Sequence, residues 1–505
     1  MSKVSCLPQL STAVEKVIHR PPTQKDPTRK MPPTPNPSSP WFTPQPFPYQ
    51  TQGALAALTG HPIIADEPGL GKTIQALLAI AIKQPTRTLI TCPPALTTNW
   101  TYETNRSGIL THALPHDSTL TTITPQTRNP TLPNTGIIIT SDTLLTARPT
   151  LAQKIHAWNP QMLIADEAHR YKNPTTKRTR TLLNLAKNTP TVIALTGTPI
   201  TSSPLDILPI LRLTKTTHHF PHNFTHTYCE QNYFGDYIPN PKTLPDLYMR
   251  LTDHAWIRRT KADVLTQLPA KARHTHHITL QPKELATAYE EVRPQLLTTQ
   301  EDDPRGLISA LRRLTGLAKI PEATRWILEH QEGTRRPLIA WAIHTSVLNG
   351  LQQALHQAGP NLRTAIYNGQ TTAEERDKIT RDFQNGHIDI LIAQITAAGV
   401  GLTLTRASEA LFVETEWTPA AVVQAEDRIH RISQTHPVTI TTLLAENTLD
   451  EPIHRVLQEK IKVLDQLTPG SDHHVTDQHA NRRVTDLLEV IAESFHTQLK
   501  KGLDK

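Results

Sequence analysis

The stretch "PIIADEPGLGKTIQALLAIAIKQ", residues 62–84, carries three signals in succession. An apolar run at 62–65 predicts a buried strand, the glycines flanking Leu70 predict a tight turn, and a helical apolar pattern follows from Lys72. Strand, glycine turn and helix start, in that order, make a phosphate-binding joint. Gly69 and Gly71 let backbone N–H groups aim at phosphate oxygens, and the helix N-terminus adds its positive end. Lys72 is expected on the β- and γ-phosphates of ATP, and the Thr73 hydroxyl on Mg²⁺. One position is out of pattern. Such loops generally carry glycine five residues before Gly71, and Asp66 stands there. The expected ATP-contacting run is Asp66, Glu67, Pro68, Gly69, Leu70, Gly71, Lys72 and Thr73.

Working outward, the strand–helix rhythm continues. Strands are predicted at "PIIAD" (62–66), "TLITCP" (88–93), "GIIIT" (136–140), "MLIADE" (162–167) and "VIALTG" (192–197). It restarts at "PLIAWAI" (337–343), followed by "TAIY" (364–367), "IDILIA" (388–393), "ALFVE" (410–414) and "VTITTLL" (438–444). Helix patterns at 72–84, 347–358, 372–385 and 419–432 alternate with them. Uncharged strands rich in Ile, Leu and Val between helices indicate parallel sheets covered on both faces. The expected fold is α/β: two parallel-sheet lobes, a cleft between them, and a helical, irregular middle region over 201–330. Ligands in such sheets bind beyond the carboxyl ends of the strands. The expected division is an arm at 1–44, a first lobe at 45–250 with a helical insertion after 200, a linker with helical insertion at 251–330, a second lobe at 331–467, and a polar turn and helix at 468–505.

A second acidic element supports the nucleotide reading. "LIADEAHRYKN" (163–173) puts Asp166 and Glu167 at a strand end. Phosphoryl transfer to water needs a carboxylate on the metal ion and a group that orients or deprotonates the attacking water. Asp166 is expected to serve the metal and Glu167 the water.

"DEPGLGKTIQ", "DEAHRYKN" and "LTGTPI" (195–200), in this order, resemble the Swi/Snf family of DNA-translocating ATPases within helicase superfamily two. The resemblance implies two RecA-like lobes, and in that family Asp is the residue at the position of Asp66. "PYQTQG" (48–53) resembles the family's adenine-recognition element, which implies Gln50 as a base-reading amide. "TCPPALTTNW" (91–100) and "IIITSDTLL" (137–145) resemble blocks that line the DNA track, implying backbone contacts from Thr98, Asn99 or Thr140.

In the second lobe, "QAEDRIHRISQ" (424–434) is expected to be helical, with Arg428 and Arg431 on one face. By itself this is a solvated basic helix. Its similarity to the family's sixth block implies arginines that reach the γ-phosphate across the cleft, with Gln424 nearby. "TAAGVGLTLTRA" (396–407) resembles the fifth block, implying nucleotide or DNA contacts near Thr396, Gly401 and Thr403. "IRRTKADVLTQLPAK" (257–271) matches the element joining the lobes, and "RRLTGLAKIPEATRWI" (312–327) with "LIAWAIHTSVLNGL" (338–351) resemble the compact, annealing-helicase-like branch. The resemblance spans roughly 45–467 and implies an ATP-driven motor on double-stranded or forked DNA.

Composition sets outer bounds. With 52 Lys plus Arg against 45 Asp plus Glu, the net charge of +7 is compatible with a polyanionic partner. Three unpaired-looking cysteines fit a reducing compartment rather than a disulfide scaffold. No apolar run reaches membrane-spanning length, so a cytoplasmic setting is expected, a bacterial cytosol or phage-infected cell given how little of the chain lies outside the motor. Eleven prolines between Pro21 and Pro48 predict an extended arm that recruits protein partners or simply links. His218, His222, His226 and Cys229 have metal-like intervals, as do His473, His474 and His479, but solvated loop histidines are the expected reading. The rival functions are a DEAH-type RNA helicase and a DNA-binding scaffold without ATPase activity. "HRYKN" and the joint element argue against the first, and a full set of ATPase residues argues against the second.

Overall fold

The computed structural model describes residues 42–201, 203–231, 237–265, 267–298, 304–398, 402–455 and 457. The proline-rich arm through residue 41, the second histidine cluster, the C-terminal helix expectation and Gly401 lie outside the described residues.

Two fully parallel sheets form the frame. Strands β1 (Ile63–Ile64), β2 (Arg87–Cys92), β3 (Thr119–Ile123), β4 (Gly136–Ser141), β5 (Met162–Ala165) and β6 (Thr191–Leu195) belong to the first lobe. A hairpin of β7 (Cys229–Gln231) and β8 (Tyr237–Pro239) precedes β9 (Trp256–Ile257) and β10 (Lys271–Ile278). Then follow β11 (Leu338–Ala342), β12 (Thr364–Tyr367), β13 (Ile390–Gln394), β14 (Glu409–Phe412) and β15 (Val438–Ala445). The first sheet runs β3-β4-β2-β5-β6-β1-β9 and the second β10-β15-β14-β11-β13-β12. All ten strands expected from apolar runs are present, with slightly shifted ends. Three that join these sheets were not expected: β3 is threonine-rich, β10 is the polar edge strand "KARHTHHI", and β9 is two residues long. A half-solvated edge strand carries no apolar run to reveal it.

Alternate residues of each strand enter opposite cores, as a sheet covered on both faces requires. Ile63, Leu89, Ile138 and Leu163 pack under helices on one face, while Ile64, Ile90, Ile139 and Ile164 meet the opposite layer. In the second lobe Leu338, Ala340 and Ile392 face one core, and Ile339, Trp341 and Phe412 the other.

Four helices matter for the site: α1 (Pro48–Thr59), α2 (Lys72–Lys83), α3 (Thr97–Arg106) and α4 (Pro419–Glu426). Helix α2 is buried continuously from Ile74 to Ala81, which explains its apolar character on every side. The middle region is not merely helical and irregular. Strand β9 pairs with β1 and β10 pairs with β15, so the segment between them runs from an edge of one sheet to an edge of the other. Among the described residues no helix is long and apolar enough to cross a membrane, and no group of three or more His, Cys, Asp or Glu is placed to hold a metal ion.

Candidate active site between the lobes

The loop after β1 enters α2 through Gly71, whose φ of 72° only glycine adopts readily; Gly69 has φ of 90°. A Cβ on Gly71 would also lie 2.3 Å from Gln50 Nε2. Gln50, on α1, is buried against the loop: its amide donates to Leu70 O at 3.2 Å and accepts from the Phe47 N–H at 2.9 Å. The Tyr49 hydroxyl donates to the same Leu70 carbonyl at 3.2 Å. In this arrangement the protein engages both the donor and the acceptor of the Gln50 amide. Pro68 packs on Gly197 of the "LTGTPI" segment, where a Cβ would come within 2.6 Å of the proline ring.

Asp66 resolves the out-of-pattern position differently from a nucleotide contact. Its carboxylate is fully buried, accepting from Gln75 Nε2 at 2.8 Å and from Arg259 Nε and Nη2 at 3.0 and 2.6 Å. The side chain ties the loop to the segment after β9. Glu67 likewise accepts from the Lys261 backbone N–H at 2.7 Å, and burial raises its pKa. Lys72 donates to the carbonyls of Asp66 and Glu67 at 2.8 and 3.2 Å. Burial lowers its pKa, opposed by Glu167, Asp66, Asp166 and Asp427. Thr73 is the second residue of α2.

Asp166 and Glu167 follow β5 directly. Asp166 Oδ2 accepts from Trp100 Nε1 at 2.8 Å and Oδ1 from the Glu167 N–H at 2.9 Å. Burial, and then the Glu167 charge, push its pKa up. Glu167 sits at φ 49°, a left-handed backbone that a non-glycine residue rarely adopts, and such strain concentrates at functional sites. Burial would raise the Glu167 pKa, but His169, Lys72 and Arg428 outweigh it and hold the carboxylate ionised. His169 Nδ1 lies 3.2 Å from Glu167 Oε2 and 3.3 Å from Thr196 Oγ1, joining the acidic element to the end of β6.

The second lobe completes the site. Helix α4 ends at Glu426, so Arg428 and Arg431 are not on a helical face, as expected, but in the turn that follows. The chain tightens there, with Arg428 and Ile429 N–H groups bonding back three residues to Ala425 and Glu426. The turn coincides with heavy side-chain engagement: Glu426 holds Lys271 at 3.0 Å and Arg273 at 2.6 Å, and Asp427 holds Lys261. Both arginines donate to Leu402 O, Arg428 at 3.2 Å and Arg431 at 2.9 Å, and Arg431 adds Thr403 Oγ1 at 2.8 Å. The arginines nonetheless face the first lobe. A Cβ on Gly69 would meet Arg431 Cα at 3.9 Å and Lys261 Cε at 3.5 Å. Burial, followed by the charge of Arg431, pushes Arg428 down to about 10, while the Glu167 charge opposes that shift. Gln424 is buried in α4, and its carbonyl accepts from Arg428 Nε at 3.1 Å.

Of the expected DNA-contacting residues, Thr98, Thr396 and Thr403 are exposed and Asn99 is half-buried. Thr140 is not available: it is fully buried in β4 and donates to Ile123 O at 3.2 Å. Trp100 and Arg259 were not anticipated. Their signals were present, since a buried indole N–H needs an acceptor and an arginine in a joint needs a counter-charge, but the identity of each partner depends on the fold.

Comparison with known proteins identifies the family. The model of the SNF2-related domain matches residues 57–330, more than half of the chain, and that of the helicase conserved C-terminal domain matches 320–433. The chain is 30% identical over 467 residues to the Caenorhabditis elegans "SWI/SNF-related matrix-associated actin-dependent regulator of chromatin subfamily A-like protein 1 homolog", covering 88% of this chain and 65% of that one. It is 30% identical over 466 residues to the human "DNA annealing helicase and endonuclease ZRANB3", covering 88% of this chain and 42% of that one. The chain thus spans only part of the length of these relatives. Among solved structures, the Sulfolobus solfataricus SWI2/SNF2 ATPase core in complex with dsDNA aligns at 22% identity and a TM-score of 0.41, over 91% of this chain and 97% of that one.

Proposed function

The chain belongs to the SNF2-related family of helicase-like ATPases, and on that footing we propose that it couples ATP hydrolysis to movement along double-stranded DNA, in a replication, repair or recombination setting. The supporting observation is the cross-lobe arrangement: Arg431 lies against Gly69 of the loop, and Arg428 lies within the electrostatic reach of Glu167. The residues present suit ATP with Mg²⁺. Lys72 and the loop N–H groups would hold the phosphates, and Thr73 and Asp166 would hold the metal ion, with Gln424 and Gly401 of the second lobe as further ATP contacts. Bound Mg²⁺ supplies charge neutralisation at the phosphates. Glu167, held ionised, orients and deprotonates the attacking water. Arg428 and Arg431 stabilise the charge that builds on the transferring phosphoryl group, an effect worth about 10³–10⁵ in rate for arginines of this kind. Since Lys72 rests on loop carbonyls, nucleotide binding requires it to exchange those acceptors for phosphate oxygens.

In this reading the two parallel sheets, the first ending at β9 and the second beginning its edge at β10, form the two moving lobes, joined by the segment between those strands. Thr98, Asn99, Thr396 and Thr403 contact the DNA backbone, and Mg²⁺-ATP closure shifts one lobe against the other along it. Steady-state ATP hydrolysis with duplex, forked or single-stranded DNA, or with RNA, tests the proposal. Stimulation by duplex or forked DNA, falling steeply with salt, is the expected result. Stimulation by RNA alone would overturn it.

A further inference from the structure

Trp100 stands outside every role assigned so far, yet it touches the carboxylate on which the metal site depends. Its ring is fully buried, in the core that also holds Ile90, Cys92 and Ile164. The indole Nε1 donates to Asp166 Oδ2 at 2.8 Å, while the other carboxylate oxygen accepts the Glu167 N–H at 2.9 Å. The Asp166 backbone is fixed as well, its N–H donating to Thr91 O at 2.8 Å. Each carboxylate oxygen therefore has one protein donor, and each keeps further lone-pair capacity. A buried indole in a packed core cannot swing to follow the carboxylate, so it dictates the carboxylate's rotation.

We propose that Trp100 is a positioning residue for Asp166, setting which of its lone pairs face an incoming divalent cation. This rests on the reading of Asp166 as the metal carboxylate. Partners of this outer kind typically change metal affinity by about 10–100-fold when removed. The same helix carries exposed Thr98 two residues earlier, so whatever engages that face bears on the element that holds Asp166.

The test uses the full chain and Mn²⁺ as the probe, titrated calorimetrically in the presence of a non-hydrolysable ATP analogue. Trp100→Phe keeps the ring and removes the donor. Trp158→Phe is the control, because Trp158 is also buried and donates at 2.6 Å, but to Pro133 O. Trp100→Phe should weaken Mn²⁺ binding by roughly 10–100-fold while metal-free nucleotide binding stays as in the parent. Trp158→Phe should keep parental Mn²⁺ affinity. Parental affinity in Trp100→Phe, or an equal loss in Trp158→Phe, overturns the proposal. Asp166→Asn separates the premise from the inference: parental Mn²⁺ affinity there removes the metal-site reading itself, whereas a loss there without a loss in Trp100→Phe removes only the role of Trp100. A second measurement does not depend on that variant folding. The Trp100 indole N–H resonance, assigned by elimination among the seven tryptophans of the parent chain, should move when Mg²⁺ joins the bound analogue. A resonance that stays in place overturns the proposal.

Discussion

Removing Arg259 should be far more damaging than removing Arg259 and Asp66 together. The Asp66 carboxylate is fully buried and accepts three bonds, two of them from Arg259 at 3.0 and 2.6 Å and one from Gln75 at 2.8 Å. Arg259→Ala leaves a buried charge with a single neutral donor. Uncompensated buried charges of this kind cost about 3–5 kcal/mol. For a lobe of this size, at about 2–4 °C per kcal/mol, that corresponds to a melting point lowered by about 6–20 °C. The guanidinium also donates to Gln75 Oε1 at 2.9 Å and stacks 5.2 Å from the Tyr49 ring centre, so some of the loss is packing. In the double variant Asp66→Ala/Arg259→Ala the charge is gone with its partner. Its cost should fall below that of Arg259→Ala alone. Calorimetric melts of the parent, both single variants and the double variant close the cycle, with hydrogen exchange over 63–66 and 256–261 locating the change. An Arg259→Ala variant within about 1 kcal/mol of the parent, or a double variant whose cost equals the sum of the singles, would refute the argument that this pair is a buried electrostatic tie.

Other expectations follow from the same geometry. Lys72→Ala should abolish ATP hydrolysis, and Glu167→Gln should still bind ATP but fail to turn it over; near-parental turnover in either variant removes that assignment. Glu426 carries an acid-sensitive tie. Burial would raise its pKa, but Lys271 and Arg273 prevail and lower it from 4.5 to about 2. A folded pKa below the unfolded value means stability that is fully present above about pH 4.5 and lost as pH falls toward 2. Glu426→Gln should therefore be less stable than the parent at pH 7 and show a flatter pH dependence in that acid window, read from urea titrations at each pH. An unchanged slope would show that the Glu426 tie to Lys271 and Arg273 contributes nothing to folding.

The sequence by itself determined the two-sheet α/β plan, because a strand buried on both faces must be apolar throughout, and such runs are visible without any structure. It also marked the glycine turn, Lys72, Thr73 and the Asp166–Glu167 pair, since each answers to a local rule about strand ends and helix starts. Tertiary structure alone decided the partners. Asp66 at a glycine position makes sense only once Arg259, far along the chain, is seen filling the same buried space. The arginines of the second lobe sit in a turn where Glu426 pairs with Arg273 of β10 and Asp427 with Lys261 of the connecting segment, contacts no helical periodicity encodes. Thr140, a DNA contact by resemblance, is instead buried in β4 and donates to Ile123 O of the neighbouring β3, a polar edge strand that leaves little hydrophobic trace. Local chemistry can be read along the chain, but which charge meets which across a cleft is fixed by packing between residues distant in sequence.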